Sequence, residues 1–288
     1  QLADPKIWVA STVPMLVGAA LAYRATGEFN IIWFTLSLIG VYLIEIGKNS
    51  SNEYIDYLSG VDVNIAPENR NPFSGGKKTI VYGKLTLNEV KYISLFTFLG
   101  ACGIGLLIIV FREPRVFWVG ILGLFLAVFY SLPPFKFAYM GLGELAVGFT
   151  YGPLIVLGMY LVIAKSIDYR ILIVGLPIGL LITNILWINQ YPDYEADLGG
   201  KKRNWLVRLG KEKGINIYKT LFVLAYVSFV PLSIVLRSPY WLLSCISIPL
   251  AAKAVSIAQQ EYDNIPKLLK ANVYTLIIYQ LTGAFMVI

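Results

Sequence analysis

Long apolar runs, separated by polar segments, recur along almost the whole chain. Most are close to the roughly 20 residues that an α-helix needs to cross the ~30 Å hydrocarbon layer of a membrane. Because lipid offers the backbone no hydrogen-bond partners, each run is predicted to be a helix that pairs its own N–H and C=O groups. Charged residues make up 14% of the chain, well below the roughly 25% of soluble domains. The sequence therefore predicts an integral membrane protein and excludes an ordinary soluble domain.

The apolar runs predict an all-α membrane protein of about nine transmembrane helices in one bundle, with residues 1–288 forming a single domain. The predicted spans are residues 7–24, 31–50, 90–111, 116–132, 143–164, 170–189, 215–236, 240–257 and 271–288. The run from Trp8 to Tyr23 is expected to be the first span rather than a signal peptide that is removed. Since the sequence starts at Gln1 and not at Met, the native start is expected to lie upstream.

Two long polar loops, residues 51–89 and 190–214, follow the second and sixth predicted spans. If the N-terminus is cytoplasmic, the loops on that side carry fourteen Lys and Arg residues and the opposite loops carry six. Cytoplasmic loops are the ones enriched in Lys and Arg, so both long loops are predicted inside and the C-terminus outside. The net charge of +7 is then explained by loops near the anionic lipid of the cell membrane, and no nucleic-acid partner is predicted.

The absence of histidine and the small number of cysteines limit the catalytic and structural roles that side chains of this protein can have. The chain contains no histidine, which excludes acid–base catalysis and metal binding by imidazole. The two cysteines, Cys102 and Cys245, lie within apolar runs and predict no disulfide framework.

The first long loop opens with a segment rich in aspartate and asparagine, residues 52–62, which we call the first aspartate segment. Asn52 and Asp56 are four residues apart, so a helix would place them on one face. Asp62 lies six residues further and would point elsewhere in a continuous helix. Ser59 and Gly60 are therefore predicted to end the helix and turn Asp62 back toward the other two side chains.

The second aspartate segment, residues 189–197, covers the last residue of the sixth predicted span and the start of the second long loop. Asn189, Asp193 and Asp197 follow one another at a spacing of four residues. Pro192 is predicted to kink the helix there, because its ring removes a hydrogen bond and clashes with the preceding turn. Glu195 is expected on the opposite face.

The two aspartate segments offer oxygen ligands, which Mg²⁺ prefers, and Mg²⁺ is typically held by one or two carboxylates together with substrate phosphates. Metal ions between the segments would neutralise a diphosphate leaving group. A lone Asp at a cytoplasmic helix end is most often a solvated cap. Two such segments, each at the end of an even-numbered span, favour a functional site.

These motifs resemble those of the UbiA superfamily of intramembrane prenyltransferases, in which NxxxDxxxD motifs or a longer variant follow helices two and six. The long spacing between Asp56 and Asp62 is most similar to the 1,4-dihydroxy-2-naphthoate prenyltransferases of menaquinone synthesis. Further similar stretches are Asn71–Gly76, Tyr130–Lys136, Gly152–Gly158, Gly200–Arg203 and Val207–Gly210. Lys77 and Lys78 depart from the small residues expected after the glycine pair in the naphthoate enzymes, which leaves the acceptor open.

The resemblance implies Mg²⁺-dependent transfer of a polyprenyl group from a prenyl diphosphate to an aromatic acceptor, in a nine-helix bundle whose cytoplasm-facing cavity opens laterally to lipid. It implies that Mg²⁺ and diphosphate are bound by Asn52, Asp56, Asp62, Asn189, Asp193 and Asp197, with the four aspartates catalytic. Tyr130 and Lys136 match the family's Tyr…Lys pair, whose Lys contacts diphosphate. Additional phosphate contacts are expected from Arg70, Lys77 and Arg203. The expected partners are the two substrates and membrane lipid, with no obligate protein partner.

Three alternatives remain open. Within the reaction class, the acceptor could be hydroxybenzoate or a glycerol phosphate lipid precursor. Outside it, intramembrane acids could line a cation transporter, although a transporter would place them near mid-membrane on broken helices. Here the acids lie at the cytoplasmic helix ends, beside basic loops. A soluble all-helical terpenoid synthase is excluded by the mean hydropathy of +0.67.

One glycine-rich stretch is interpreted as structural. Its glycines, Gly141, Gly143, Gly148, Gly152 and Gly158, match neither a dinucleotide-binding motif nor a phosphate-binding loop. They are expected to permit close packing of helices.

Overall fold

The computed structural model describes residue 2 and residues 5–65 and 78–287, and within these ranges the side chains of Asn30, Thr86 and Asn204 cap helix starts. Its α-helices are α1 (Pro5–Thr26), α2 (Ile31–Leu58), α3 (Val61–Asn64), α4 (Leu87–Phe111), α5 (Val116–Val128), α6 (Phe137–Met140), α7 (Gly143–Phe149), α8 (Ile155–Ala164), α9 (Arg170–Asn189), α10 (Tyr194–Gly199), α11 (Trp205–Leu209), α12 (Lys211–Val235), α13 (Ile248–Glu261) and α14 (Ile265–Val287). A π-helical turn (Thr150–Leu154) joins α7 to α8, and a 3₁₀ helix (Pro239–Ser247) leads into α13. The described part of the chain contains no β-strand.

Six helical stretches among the described residues are long and apolar enough to cross a membrane. They are Ile31–Leu58, Leu87–Phe111, Gly143–Ala164, Arg170–Asn189, Lys211–Val235 and Pro239–Glu261. The other three predicted spans coincide with α1, α5 and α14, and α5 has only 13 residues. The protein is therefore an all-helical membrane protein, and the count of nine spans stays a prediction.

The main error in the predicted helix bounds lies in α2. The span expected to end at residue 50 continues to Leu58, so Asn52 and Asp56 belong to the helix and not to a loop. The polar residues of this last part, including Ser51, Glu53 and Asp56, are buried against protein. Polar side chains that face protein and not lipid do not oblige a membrane helix to stop.

Other helix ends also differ from the predicted bounds. Helix α4 begins at Leu87, three residues before the expected start, because Thr86 and Glu89 form a reciprocal capping box. The span predicted as 116–132 ends at Val128, and those predicted to start at 215 and 271 begin at Lys211 and Ile265. The span predicted as 240–257 begins as the 3₁₀ helix and extends to Glu261.

The glycine-rich stretch packs as expected. A Cβ at Gly152 would lie 2.5 Å from the carbonyl oxygen of Gly175, and a Cβ at Gly175 would lie 2.5 Å from the Pro153 backbone. The backbones of the π-helical turn and α9 therefore touch, which only glycine allows. This contact fixes α9, and with it the second aspartate segment, at the centre of the bundle.

Ion pairs and hydrogen bonds show which loops share an end of the bundle. At one end, Arg112 Nε donates to the Val162 carbonyl at 2.8 Å, and Arg115 donates to the Lys165 carbonyl at 2.7 Å. At the other end, Lys211 Nζ lies 3.3 Å from Glu195 and 3.5 Å from Asp263. The loops after the sixth and eighth predicted spans thus lie together, as alternating passage through a membrane requires.

Candidate active site

The first aspartate segment turns where the sequence predicted. Helix α2 ends at Leu58, Gly60 has φ +80°, and α3 starts at Val61. Positive φ is favourable for glycine because it lacks a Cβ. Asp62 is buried after this turn and faces Asp56 closely enough to interact electrostatically with it. The predicted return of Asp62 toward the first two residues is confirmed.

The second aspartate segment is interrupted more completely than predicted. We expected Pro192 to kink a helix that continues, but α9 ends at Asn189 and α10 starts at Tyr194. A proline has no N–H to donate to the preceding turn and its ring clashes with that turn, so the helix stops. Asp193 and Asp197 are both buried. Glu195 is exposed and pairs with Lys211, as expected for the opposite face.

Both segments meet at one polar cavity of about 170 Å³. Its lining includes five residues of the predicted site, namely Asn52, Tyr130, Asn189, Asp193 and Asp197. It also includes Lys48, Asn49, Glu144, Gln190, Lys202 and Asn204, which the sequence did not single out. Residues that are 150 positions apart in the chain therefore contribute to a single pocket at one end of the bundle.

Lys202 joins the two segments and is the most important residue that the sequence analysis missed. Its Nζ lies 2.9 Å from Asp56 Oδ2 and 3.6 Å from Asp197 Oδ1. Burial opposes the positive charge, but the carboxylates of Asp197 and Asp56 hold the pKa of Lys202 well above its usual value. The lysine is therefore a permanent cation between the segments. The signal in the sequence is the basic run 201–203, in which Arg203 and not Lys202 was predicted to contact phosphate.

Asp56 is held by a small hydrogen-bond network. Asn52 Nδ2 donates to Asp56 Oδ2 at 2.8 Å, and the Tyr139 hydroxyl donates to Asp56 Oδ1 at 2.7 Å. Ser131 Oγ in turn donates to Asn52 Oδ1 at 2.7 Å. The predicted pairing of Asn52 with Asp56 on one helix face is confirmed. Ser131 belongs to the predicted Tyr130–Lys136 stretch and Tyr139 follows it by three residues, so these bonds bring that stretch to the first segment.

The second segment has its own supporting residues. Asn204 Nδ2 donates to Asp197 Oδ2 at 2.7 Å. Asn272 of α14 donates to Asn189 Oδ1 at 2.7 Å, which leaves this oxygen a second lone pair. Glu144 Oε1 accepts from Gln190 Nε2 at 3.0 Å and anchors the loop between α9 and α10. The cavity walls are therefore rigidly positioned.

The buried carboxylates disfavour their own ionisation. Burial, followed by the charge of Asp56, raises the pKa of Asp62 to about 8. Burial also raises the pKa of Asp197 to about 7, although Lys202 opposes this. The Oδ2 atom of Asp62 is buried and accepts no hydrogen bond. A further cation near these oxygens would relieve both the repulsion and the missing hydrogen bond.

The donor set fits Mg²⁺, although no complete metal site is preformed. Within the described ranges, no three Asp, Glu or Cys side chains converge closely enough to hold a metal ion by themselves. Mg²⁺ retains waters and takes one or two carboxylates plus phosphate oxygens. The carboxylates and amides of the two segments are of that kind, so the residues present fit the ion when a diphosphate supplies further oxygens.

The basic residues that were predicted to contact phosphate differ in their position relative to the aspartate segments. Lys136 has φ +47°, and its Nζ lies 5.5 Å from the ring centre of Tyr139, next to the first segment. Arg203 is exposed and contributes backbone contacts, its N–H donating to the Tyr139 carbonyl at 3.1 Å. Arg70 and Lys77 lie outside the described residues. Their phosphate-binding roles, like that of Arg203, stay predictions.

The polar cavity continues into the apolar interior. Lys48 and Tyr130 line both this cavity and a narrow neck of about 40 Å³. The neck shares Val41, Ile44, Thr150 and Ile155 with a larger apolar cavity of about 150 Å³. Glycines widen that cavity, among them Gly40, Gly105, Gly120, Gly123 and Gly158. The neck and the larger apolar cavity form a route, here called the apolar channel, that suits a hydrocarbon chain and adjoins the charged end.

Comparison with known proteins agrees with this geometry. Residues 11–277 match the UbiA prenyltransferase family. A 2-carboxy-1,4-naphthoquinone phytyltransferase of Synechocystis is 30% identical, over 90% of this chain and 81% of the relative. A 1,4-dihydroxy-2-naphthoate octaprenyltransferase of Haemophilus influenzae is 29% identical, over 96% of this chain and 92% of the relative.

Solved structures share the fold. A UbiA homolog from Archaeoglobus fulgidus, bound to DMAPP and Mg²⁺, superposes with a TM-score of 0.73 at 15% identity, covering 99% of this chain and 96% of that one. A digeranylgeranylglyceryl phosphate synthase gives a TM-score of 0.64 at 18% identity, covering 97% of this chain and 91% of that one. At these identities the likeness concerns the fold alone.

Proposed function

Because the chain belongs to the UbiA prenyltransferase family and is a membrane-embedded prenyltransferase, we propose that it transfers a polyprenyl group from a prenyl diphosphate to an aromatic acceptor of the naphthoate type. The reaction would serve quinone synthesis of the menaquinone kind and would require Mg²⁺. The two relatives named above support this acceptor, since both carry naphthalene-derived substrates in their names.

The observation that carries the proposal is the continuity between the charged cavity and the apolar channel. A prenyl diphosphate has a strongly anionic head and a long hydrocarbon tail. The head fits between the two aspartate segments beside Lys202, and the tail fits the channel that begins at Tyr130. A cation transporter has no use for an apolar channel that adjoins its ion site.

The residues that line the cavity, together with Asp56, Asp62 and Lys136 beside it, would have distinct roles. Asn52, Asp56, Asp62, Asn189, Asp193 and Asp197 would hold Mg²⁺ and, through it, the diphosphate. When bound, Mg²⁺ supplies the positive charge that offsets the charge developing on the leaving diphosphate. Lys202 and Lys136 would bind phosphate oxygens directly, as compact cations do. The ring face of Tyr130 would stabilise positive charge on the allylic carbon, which lies where the head meets the tail.

The placement in the membrane is part of the proposal. We place the protein in the cell membrane with nine spans, one domain, a cytoplasmic N-terminus and an external C-terminus. The cavity would face the cytoplasm and open sideways to lipid, so that the hydrocarbon tail enters without crossing water. The uneven distribution of Lys and Arg supports this orientation.

The test is a substrate panel. The purified protein is incubated with Mg²⁺, labelled prenyl diphosphates of several lengths, and one acceptor at a time: 1,4-dihydroxy-2-naphthoate, 4-hydroxybenzoate or a glycerol phosphate precursor. Products are identified by mass spectrometry. We expect a prenylated naphthalene product. Prenylation of only the glycerol phosphate precursor would assign the chain to lipid synthesis, and absence of any prenylated product would refute the proposal.

A further inference from the structure

We propose that Lys48 binds a carboxylate on the aromatic acceptor and thereby selects acidic acceptors and orients their ring. This inference rests on the proposed function and adds to it a residue outside the two aspartate segments. It concerns the point at which the polar cavity narrows into the apolar channel.

Lys48 lies on the same face of α2 as the first aspartate segment, one turn before Asn52. Its side chain lines both the polar cavity and the neck of the apolar channel. The amine is therefore on the channel side of the residues that would hold the diphosphate. An acceptor must approach the allylic carbon near this point, because that carbon joins the anionic head to the hydrocarbon tail.

The Lys48 amine has aromatic neighbours but no direct anionic partner. Its Nζ lies 5.1 Å from the ring centre of Tyr130 and 5.7 Å from that of Tyr151. Among the residues that the structure describes, it forms no ion pair within 4.0 Å and donates no hydrogen bond. Lys202, in contrast, binds two aspartates. An amine without an ion pair inside a membrane bundle is unfavourable and marks a functional position.

Glu45 is the nearest acidic residue on α2 and compensates the charge only from a distance. It lies one turn below Lys48, and its Oε2 accepts a hydrogen bond from Ser11 of α1 at 2.9 Å. Glu45 also lines the neck and interacts with the Tyr151 hydroxyl. Glu45 thus lowers the cost of placing an ammonium here without occupying its hydrogen-bonding positions.

The reaction itself requires a negative charge beside Lys48. When the prenyl C–O bond breaks, the bonding electron pair leaves with the diphosphate and positive charge develops on the allylic carbon. A bare ammonium nearby would oppose that charge, since like charges destabilise each other strongly in a low dielectric. A carboxylate paired with Lys48 removes the repulsion. A lysine suits a single carboxylate as a compact point charge, and the adjacent tyrosine rings offer faces on which an aromatic acceptor can stack.

The experiment measures binding, so it is independent of whether the proposed transfer occurs. Calorimetry in one detergent compares two probes that differ by a carboxylate, 1-hydroxy-2-naphthoate and 1-naphthol. In the wild type we expect the carboxylate to tighten binding. In Lys48→Met this preference should fall at least about tenfold, the scale of a hydrogen bond to a charged group. Lys48→Arg should restore much of it, and prenyl diphosphate affinity should change less than about twofold in either variant.

Lys253 provides a matched control. Its Nζ also lies 5.1 Å from a tyrosine ring centre, that of Tyr274, but it is exposed on α13 outside the cavity. Lys253→Met should leave the affinities for both probes unchanged. If Lys48→Met fails to fold, Lys48→Gln provides the same comparison with a polar side chain of similar size.

Two results would overturn the inference. One is an unchanged preference for the carboxylated probe in a folded Lys48 variant. The other is a tenfold loss of prenyl diphosphate affinity in that variant, which would assign the amine to the leaving group. Failure of the substrate panel with intact Lys48-dependent binding would instead refute the proposed reaction and keep the carboxylate site.

Discussion

Lys202 and Lys201 are adjacent in sequence but have different environments. Lys202 is half-buried and pairs with Asp56 and Asp197, whereas Lys201 is exposed. The basic run after the second aspartate segment is visible in the sequence, and the family resemblance favours Arg203 within it. Of the three consecutive basic residues 201–203 only Lys202 lines the cavity, and only the path of the irregular loop decides which side chain enters it.

We therefore predict that Lys202→Met lowers kcat/KM for prenyl diphosphate by at least about 10²-fold, the scale of losing one charge stabiliser. Lys201→Met removes the same charge from the neighbouring position and should keep activity near that of the wild type. Steady-state kinetics with varied prenyl diphosphate measures both. Equal effects of the two substitutions would mean that the loop lysines act only through their long-range positive charge and not through a specific contact.

Gly60 and Asp62 illustrate what residue spacing can predict. A six-residue offset cannot keep Asp62 on the face of Asp56 in a straight helix, and the Ser59–Gly60 pair supplied the break. The inward position of Asp62 followed from elementary helix geometry. Its raised pKa, caused by burial and the neighbouring Asp56, did not, because burial depends on the whole bundle.

Gly60→Val should impair catalysis about as much as Asp62→Asn, because valine disfavours the φ of +80° that the turn requires. Turnover and melting temperature are measured for both variants. Gly83, also at positive φ but with open space around it, offers a control in Gly83→Val. Wild-type turnover in Gly60→Val with loss of activity in Asp62→Asn would show that the turn does not depend on glycine.

At the scale of helices, the type and order of the elements followed from the apolar runs, and their ends did not. The extension of α2 to Leu58 went unrecognised because a run of polar residues was interpreted as the start of a loop. For the same reason the spacing between Lys48 and Asn52, which places both on one helix face, was overlooked. Hydropathy cannot distinguish polar residues in a loop from polar residues on the protein-facing side of a helix.

The close approach of the π-helical turn to α9 leads to a stability prediction. Gly175→Ala would place a Cβ 2.5 Å from the Pro153 backbone, which cannot move aside as a side chain can. We expect the free energy of unfolding to fall by about 1–3 kcal/mol, the usual range for overpacking, with a lower melting temperature in detergent. Gly103→Ala on α4 meets nothing within 4 Å and should have no such effect. Equal melting temperatures for both variants would contradict the described packing.

For the whole molecule, the sequence predicted the membrane class and the meeting of the two aspartate segments. The loops of a membrane protein alternate between the two faces of the bilayer, so the loops after the second and sixth spans must lie on the same side. The ion pairs of Lys211 with Glu195 and Asp263 agree with this arrangement. The apolar channel could not be predicted. It is formed by side chains from α1, α2, α4, α5 and α8, and no spacing within one helix reveals which faces enclose it.

Topology can be tested with single cysteines in a background that lacks Cys102 and Cys245. Gly199→Cys and Pro114→Cys use open or exposed positions at the two ends of the bundle. A membrane-impermeant thiol reagent applied to intact cells should label Pro114→Cys and leave Gly199→Cys unlabelled until the membrane is opened. The reverse pattern would invert the orientation, and labelling of both from outside would contradict the alternation.

The most direct test of the whole account is the initial rate of prenyl transfer with saturating Mg²⁺ and in the presence of a chelator, for wild type, Asp193→Asn and Asp263→Asn. Asp193 is buried in the cavity wall, whereas the Asp263 side chain is 68% exposed and serves as the matched control. The account predicts that the chelator abolishes the wild-type rate, that Asp193→Asn lowers kcat by at least about 10²-fold, and that Asp263→Asn behaves as wild type. A wild-type rate in chelator, or a fully active Asp193→Asn, would contradict it.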